Sequence, residues 1–362
     1  MNLLRIISRV PSTLALVSLA ACSGPSDRPS EVNTLRVLAV RSETPFAKPG
    51  ASAELTMLAY DGSPHAKRAD ATSRETSTLW IGGCNNPPGD GFAGCMPYLH
   101  EVLSQFGEGT IPTGTVPATL DSGSIGWGAH FTAPVSANII ESRTIAPGVV
   151  YPYGLELVFF AHCGGALQRV AGSTNGLPLG CYDTQTGEPL GRDDFEFGFY
   201  PLFSYDALTN ANPTLNALRF DETDASSQPA CSDSTPCSGA YHCSLQNVCI
   251  PVVARCTKNN EDDCEKHTLA VDVPRTSVET AMTAHVAEAD APPETLWVSY
   301  YASAGSFEQD AEVINDPHSG WNPEISGKYR ANVGSSQEVH LWAIVRDNRN
   351  GVVWAEQTVW VD

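Results

Sequence analysis

Basic side chains are scarce: 21 Lys and Arg stand against 41 Asp and Glu in 362 residues, a formal net charge of −20. A surface of that sign repels phosphate backbones and anionic lipid headgroups, which disfavours nucleic acid as a partner and rules against attachment through a basic patch. No apolar run reaches the roughly 20 residues that a membrane-spanning helix needs. Helical periodicity is sparse as well. G-x-S-x-G, H-E-x-x-H and G-x-x-x-x-G-K-[ST] are all missing, so the nucleophile-elbow, zincin and P-loop readings have no anchor. Neither an enzyme nor a cofactor is expected.

What is present begins at the N-terminus. Arg5 and Arg9 precede a short apolar run from Leu14 to Ala20, and Leu19-Ala20-Ala21-Cys22 resembles a lipobox. The expectation is a signal peptide over residues 1–21, Cys22 as the lipid-bearing N-terminus, and a tether over residues 22–33 that opens with Ser23, Gly24, Pro25 and Ser26. Each buried methylene contributes about 0.8 kcal/mol, so several acyl chains on one cysteine hold a protein at a membrane without a spanning helix. Ser23 is not the aspartate that marks inner-membrane retention in enterobacterial lipoproteins. This favours the outer membrane, facing the periplasm or the surface.

Cysteine counting points to the same oxidising compartment. Setting Cys22 aside leaves ten of 11 cysteines, an even number that five disulfides would use. Spacing favours Cys84 with Cys95 and Cys163 with Cys181. Cys231, Cys237, Cys243, Cys249, Cys256 and Cys264 crowd together, and their pairing stays open because six cysteines allow 15 connectivities. The close C-x-x-C pairs of zinc sites are absent, and no metal site is expected.

The body reads as short Val, Leu, Phe, Tyr and Trp runs cut by Gly, Pro, Asn and Asp, the pattern of an all-β chain. One helix is expected, from Pro97 to Phe106. Thr78-Leu79-Trp80-Ile81 recurs as Thr295-Leu296-Trp297-Val298 with similar strand order after each, suggesting one sandwich used twice. Strands are expected at Leu35 to Val40, Ala53 to Tyr60, Trp127 to Phe131, Leu155 to His162 and Phe195 to Phe203. In the second copy they are expected at Leu215 to Phe220, Leu269 to Val273, Lys328 to Val333, Val339 to Val345 and Val352 to Val361. The fold expected is mainly β: two immunoglobulin-like β-sandwich domains over residues 34–210 and 211–362, the second carrying a disulfide-rich insertion at 231–264. Trp80 and Trp297 are the expected core residues.

The lipobox, Leu35-Arg36-Val37-Leu38-Ala39-Val40-Arg41, Gly83-Cys84-Asn85-Asn86-Pro87-Pro88-Gly89-Asp90, the cysteine cluster and Leu341-Trp342-Ala343-Ile344-Val345-Arg346-Asp347 together resemble uncharacterised myxobacterial-type lipoproteins. The C-terminal copy is also similar to PKD-like domains. The resemblance implies localisation and domain plan and no activity.

Gly89 to Gly94 matches G-x-G-x-x-G, but Pro87 and Pro88 interrupt the strand-to-glycine turn and a disulfide would close the segment, so a constrained surface loop is expected. His162, His242 and His267 lie near cysteines and read as structural or solvated once those cysteines bond to sulfur. His318-Ser319 lacks an acid placed by motif. Asn259, Asn260, Glu261, Asp262 and Asp263, with Asp221, Glu222 and Asp224, are acid-rich loops without EF-hand spacing, read mainly as solvated charge. The function expected is a non-catalytic, lipid-anchored envelope protein for surface interaction, adhesion or structural spacing, with an unknown protein or glycan partner. The rivals are a glycan-acting hydrolase, which needs two carboxylates about 5 to 10 Å apart, and a glycan-binding module using exposed aromatics such as Trp321 and Tyr300.

Overall fold

Alternating apolar residues dictate sheets, and most of each apolar sheet face is covered by a neighbouring layer. The computed structural model describes residues 28–67, 74–170, 176–232 and 234–362. The signal peptide, Cys22 and the first part of the tether lie outside them. The protein is mainly β, with one α-helix, Met96–Ser104, among the described residues.

The layers stack in sequence. On the outside, helix Met96–Ser104 and a small sheet of Gly109–Thr110, Ala166–Arg169 and Leu179–Tyr182 cover one face of a five-stranded sheet. This aromatic sheet runs in the order Phe46–Ala47, Phe195–Tyr205, Tyr153–Cys163, Ser77–Asn85, Ile125–Trp127. Its other face packs on a bridging sheet of Leu35–Ser42, Ser52–Asp61 and His130–Pro134. The bridging sheet's outer face is covered in turn by a seven-stranded long sheet, where Leu38 and Ala39 meet Trp342, Ile344 and Val352. A final five-stranded sheet closes the far side of the long sheet around Leu296, Val298, Tyr300, Leu341 and Ala343.

The period of two explains how strand Tyr153–Cys163 serves two cores. Leu155, Leu157, Phe159 and Ala161 face the helix, while Val158 and Phe160 face the bridging sheet. Trp80 fills that second core, wholly buried and stacked on Phe131 at 5.7 Å, its indole nitrogen donating to the Gly128 carbonyl at 2.8 Å. Gly198 lets this core close on the aromatic sheet, because a Cβ there would stand 2.4 Å from the Phe160 ring.

Two expectations are overturned by the structure. Trp297 is only half-buried, because its strand turns Leu296, Val298 and Tyr300 inward and Trp297 to the opposite face. The recurring tetrapeptides therefore present their tryptophans differently: Trp80 faces the sandwich interior, and Trp297 faces away from the core beside it. The segment from Trp127 to Phe131 is two strands, Ile125–Trp127 in the aromatic sheet and His130–Pro134 in the bridging sheet. Gly128, at φ +81°, makes the turn between them.

The disulfides are Cys84–Cys95, Cys163–Cys181, Cys231–Cys243, Cys237–Cys249 and Cys256–Cys264. The cysteine-rich insertion does not stand free. Its strand Cys249–Val253 joins the long sheet through parallel pairing with Val352–Val361, burying Ile250 and Val253. His242 stacks on Trp360 at 4.0 Å.

Candidate functional site

Strand Phe195–Tyr205 has the sequence FEFGFYPLFSY. Its odd positions place Phe195, Phe197, Phe199, Phe203 and Tyr205 on the sheet face that the helix layer covers only in part. Phe199 stays 44% exposed, and Phe92 from the loop closed by Cys84–Cys95 lies over it at 6.1 Å with nearly parallel rings. At the strand's other end Phe203 and Tyr205 pack with Phe46 and Tyr153, with ring centroids 4.7 to 6.5 Å apart.

This second aromatic group floors a cleft where the two halves of the chain meet. One recess of about 200 Å³ has Phe46, Tyr153, Phe203 and Tyr205 on one side, with Ala284, His285 and the hairpin tip Asn348–Asn350 on the other. A second recess of about 200 Å³ shares Tyr153 and His285 and adds Asp90, Arg143 and Ile145. The polar groups are fixed by one another. Arg143 bonds Asp90 at 2.5 Å and the Tyr153 hydroxyl at 2.7 Å, its guanidinium lying 4.0 Å over the Tyr153 ring. Tyr153 donates to Asp90 at 3.0 Å. The hydrogen bond from Arg143 holds the Asp90 carboxyl below its usual range, while burial raises the Tyr153 hydroxyl.

The hairpin tip is held by a buried charge network. Arg349 bonds Glu294 at 2.9 Å and also Glu279, and reaches the Thr209 carbonyl. Asn210 bonds Asp347 and the Arg349 carbonyl. Burial raises the carboxyls of Glu294 and Asp347. From the tip, Asn350 donates to the Pro201 carbonyl, tying the hairpin to the aromatic strand.

A larger cavity, about 610 Å³, opens beside the helix and carries Tyr98, Glu101 and Asp121 on its walls. Behind its Gly83 wall lies Glu156, wholly buried, accepting the Gly83 amide at 2.6 Å with its second oxygen unpartnered. Burial pushes this carboxyl up to about 7, and burial pushes the Tyr98 phenol up to about 12.

The residues singled out from sequence scatter. Tyr300 is buried in the core and presents no aromatic surface; Trp321 is half-buried under Arg275. His162 bonds Thr78 in the interior, and His267 bonds Asp221. His318 stands exposed beside Asp316, which also accepts from Ser319. The acid-rich loops are committed elsewhere, Glu261 to Arg28, Asp262 to Arg330, and Asp224 to the Ser226 amide. Among the described residues, the one group of three potential ligands within metal reach is Cys231, Cys237 and Cys243, and all three are in disulfides. The Gly89–Gly94 segment forms two 3-10 turns and delivers Asp90 and Phe92 to the aromatic face.

No protein-family model and no curated protein matches the chain. Among solved structures, Escherichia coli alpha-2-macroglobulin activated by porcine elastase aligns with 92% of this chain at 11% identity and a TM-score of 0.20. The native conformation of that protein aligns with 92% at 9% identity and a TM-score of 0.21. The chain spans about a fifth of those structures, 22% and 17% of their lengths, and a likeness of this size carries no argument.

Proposed function

We propose that this chain is a non-catalytic, lipid-anchored protein of the cell envelope that takes a saccharide into the cleft between its two halves. The observation that carries the reading is the cleft itself: an aromatic floor of Phe46, Tyr153, Phe203 and Tyr205 with a mutually bonded Asp90–Arg143–Tyr153 edge. Apolar walls with a few fixed polar groups suit ligand recognition; Phe46 and Tyr205 are buried within the floor, and the half-buried Phe203 and the Arg143-capped Tyr153 are the rings left to meet the C–H face of a sugar ring. Asp90 is held ionised by Arg143, which suits a hydrogen-bond acceptor better than a proton donor. The lipobox ending in Cys22 supports the anchor and the outer membrane as its location. Titration of the full chain with soluble glycans tests the cleft, Tyr153→Ala being expected to abolish binding. Metabolic labelling with a palmitate analogue, with and without Cys22→Ser, followed by protease shaving of intact cells, tests the anchor and the surface.

A glycan-acting hydrolase is the second reading, favoured by Glu101 and Asp121 on the walls of one cavity. Loss of a measurable hydrolysis in Glu101→Gln and Asp121→Asn would establish it.

A further inference from the structure

We infer that the ligand is an extended, uncharged, β-linked glycan chain that bridges two aromatic stations on strand Phe195–Tyr205; this rests on the saccharide reading of the cleft. The first station is the cleft floor around Tyr153 and Phe203. The second is the Phe92–Phe199 pair, whose rings lie 6.1 Å apart at 15° and remain 37% and 44% exposed. Phe199 and Phe203 are four residues apart on one face of one strand, which separates the stations by about 13 Å. That span exceeds one sugar ring, so a single monosaccharide cannot occupy both.

The loop that carries Phe92 to the second station also carries Asp90 to the first, where it bonds Arg143 and Tyr153. The Cys84–Cys95 disulfide closes this loop and sets both contacts from one element. Exposed large apolar side chains are energetically unfavourable in water and mark contact surfaces when they gather. Phe92 and Phe199 gather here, with Ile145 exposed on the wall of the adjoining recess. The occupant's charge follows from the protein's: a chain at −20 disfavours polyanionic glycans, and the cleft's Arg143 is already neutralised by Asp90. β-1,4-linked chains, as in cellulose and chitin, are extended and offer ring faces repeatedly along their length, which matches two aromatic stations on one strand.

Calorimetric titration of the full chain with soluble chitin and cellulose oligomers, from the monosaccharide upward, tests this. Affinity is expected to rise by about tenfold or more once the chain reaches both stations. Phe199→Ala is expected to remove that rise and leave monosaccharide affinity unchanged, whereas Tyr153→Ala removes binding at every length. Equal affinity at all lengths, or a long-chain affinity untouched by Phe199→Ala, overturns the two-station inference while leaving the cleft reading intact. No binding by any oligomer, or binding of an apolar peptide instead, overturns both.

Discussion

Removing the Arg349 guanidinium is expected to be among the most damaging single substitutions in the molecule. Its side chain is 2% exposed, and its partner Glu294 is 0% exposed. Arg349→Met keeps much of the volume but leaves Glu294 as a buried carboxylate without its cation. Breaking a buried pair in this way costs about 3–5 kcal/mol, because the desolvation penalty of the remaining charge stays uncompensated. The bonds to Glu279 and to the Thr209 carbonyl are lost as well, which loosens the hairpin tip that joins the halves. The penalty depends on pH with a definite sign. Burial already raises the Glu294 carboxyl, and loss of Arg349 raises it further, so the folded variant binds a proton at a pH where the unfolded chain does not. A group raised in the folded state contributes stability at low pH that is lost as pH rises, so the deficit of the variant shrinks as pH falls toward the ordinary carboxylate range. Urea denaturation with disulfides intact, at pH 5 and pH 8, measures this. Arg349→Met combined with Glu294→Leu should recover much of the loss. A deficit below about 1 kcal/mol at pH 8, or one independent of pH, would refute the reasoning.

Glu156 and His162 give two opposed predictions from one strand. Burial raises Glu156 to about 7 and lowers His162 to about 4. Glu156 therefore contributes stability that is lost as pH rises from 4.5 to about 7, and His162 contributes stability that is lost as pH falls from 6.5 to about 4, each on the order of 3 kcal/mol. Their contributions nearly cancel in the native chain; Glu156→Gln should unmask a stability that rises with pH, and His162→Gln one that falls, as read from denaturation midpoints between pH 4 and 8. Replacing Cys84 and Cys95 by serine opens a loop of sequence separation 11 and should lower stability by about 3 kcal/mol in a chemical unfolding curve. The same pair of changes should weaken long-chain glycan binding in calorimetry, because that loop holds Phe92 and Asp90.

Much of the strand order was legible because a period of two survives in sequence: Phe195 to Phe203 reads as a strand, and the helix from Pro97 to Phe106 reads within two residues of Met96–Ser104. Which face of a strand is wet was not legible. Tyr300 and Phe199 both sit in aromatic strand segments, and only the covering sheet buries one while the helix layer stops short of the other. The cleft was hidden for a different reason. Phe46, Asp90, Tyr153, Phe203, His285 and Arg349 are spread over three hundred residues, and no local spacing links them. A clue was available in the alternating F-x-F-x-F of residues 195–199, since a half-buried strand normally alternates apolar with polar and here the apolar register is wholly aromatic. The pairing of the last six cysteines needed the turn geometry that brings Cys231 to Cys243 and Cys237 to Cys249.

The most direct test of the account is retention of the purified chain on insoluble chitin and cellulose, compared with Tyr153→Ala/Phe199→Ala. The native chain is expected to be retained on at least one polymer and released by its soluble oligomers, while the double variant flows through although it still unfolds in one cooperative transition, at a lowered melting temperature because the Tyr153 contacts to Arg143, Asp90, Phe203 and Tyr205 are lost. Native protein that flows through both polymers, or a folded double variant retained as strongly as the native chain, would contradict it.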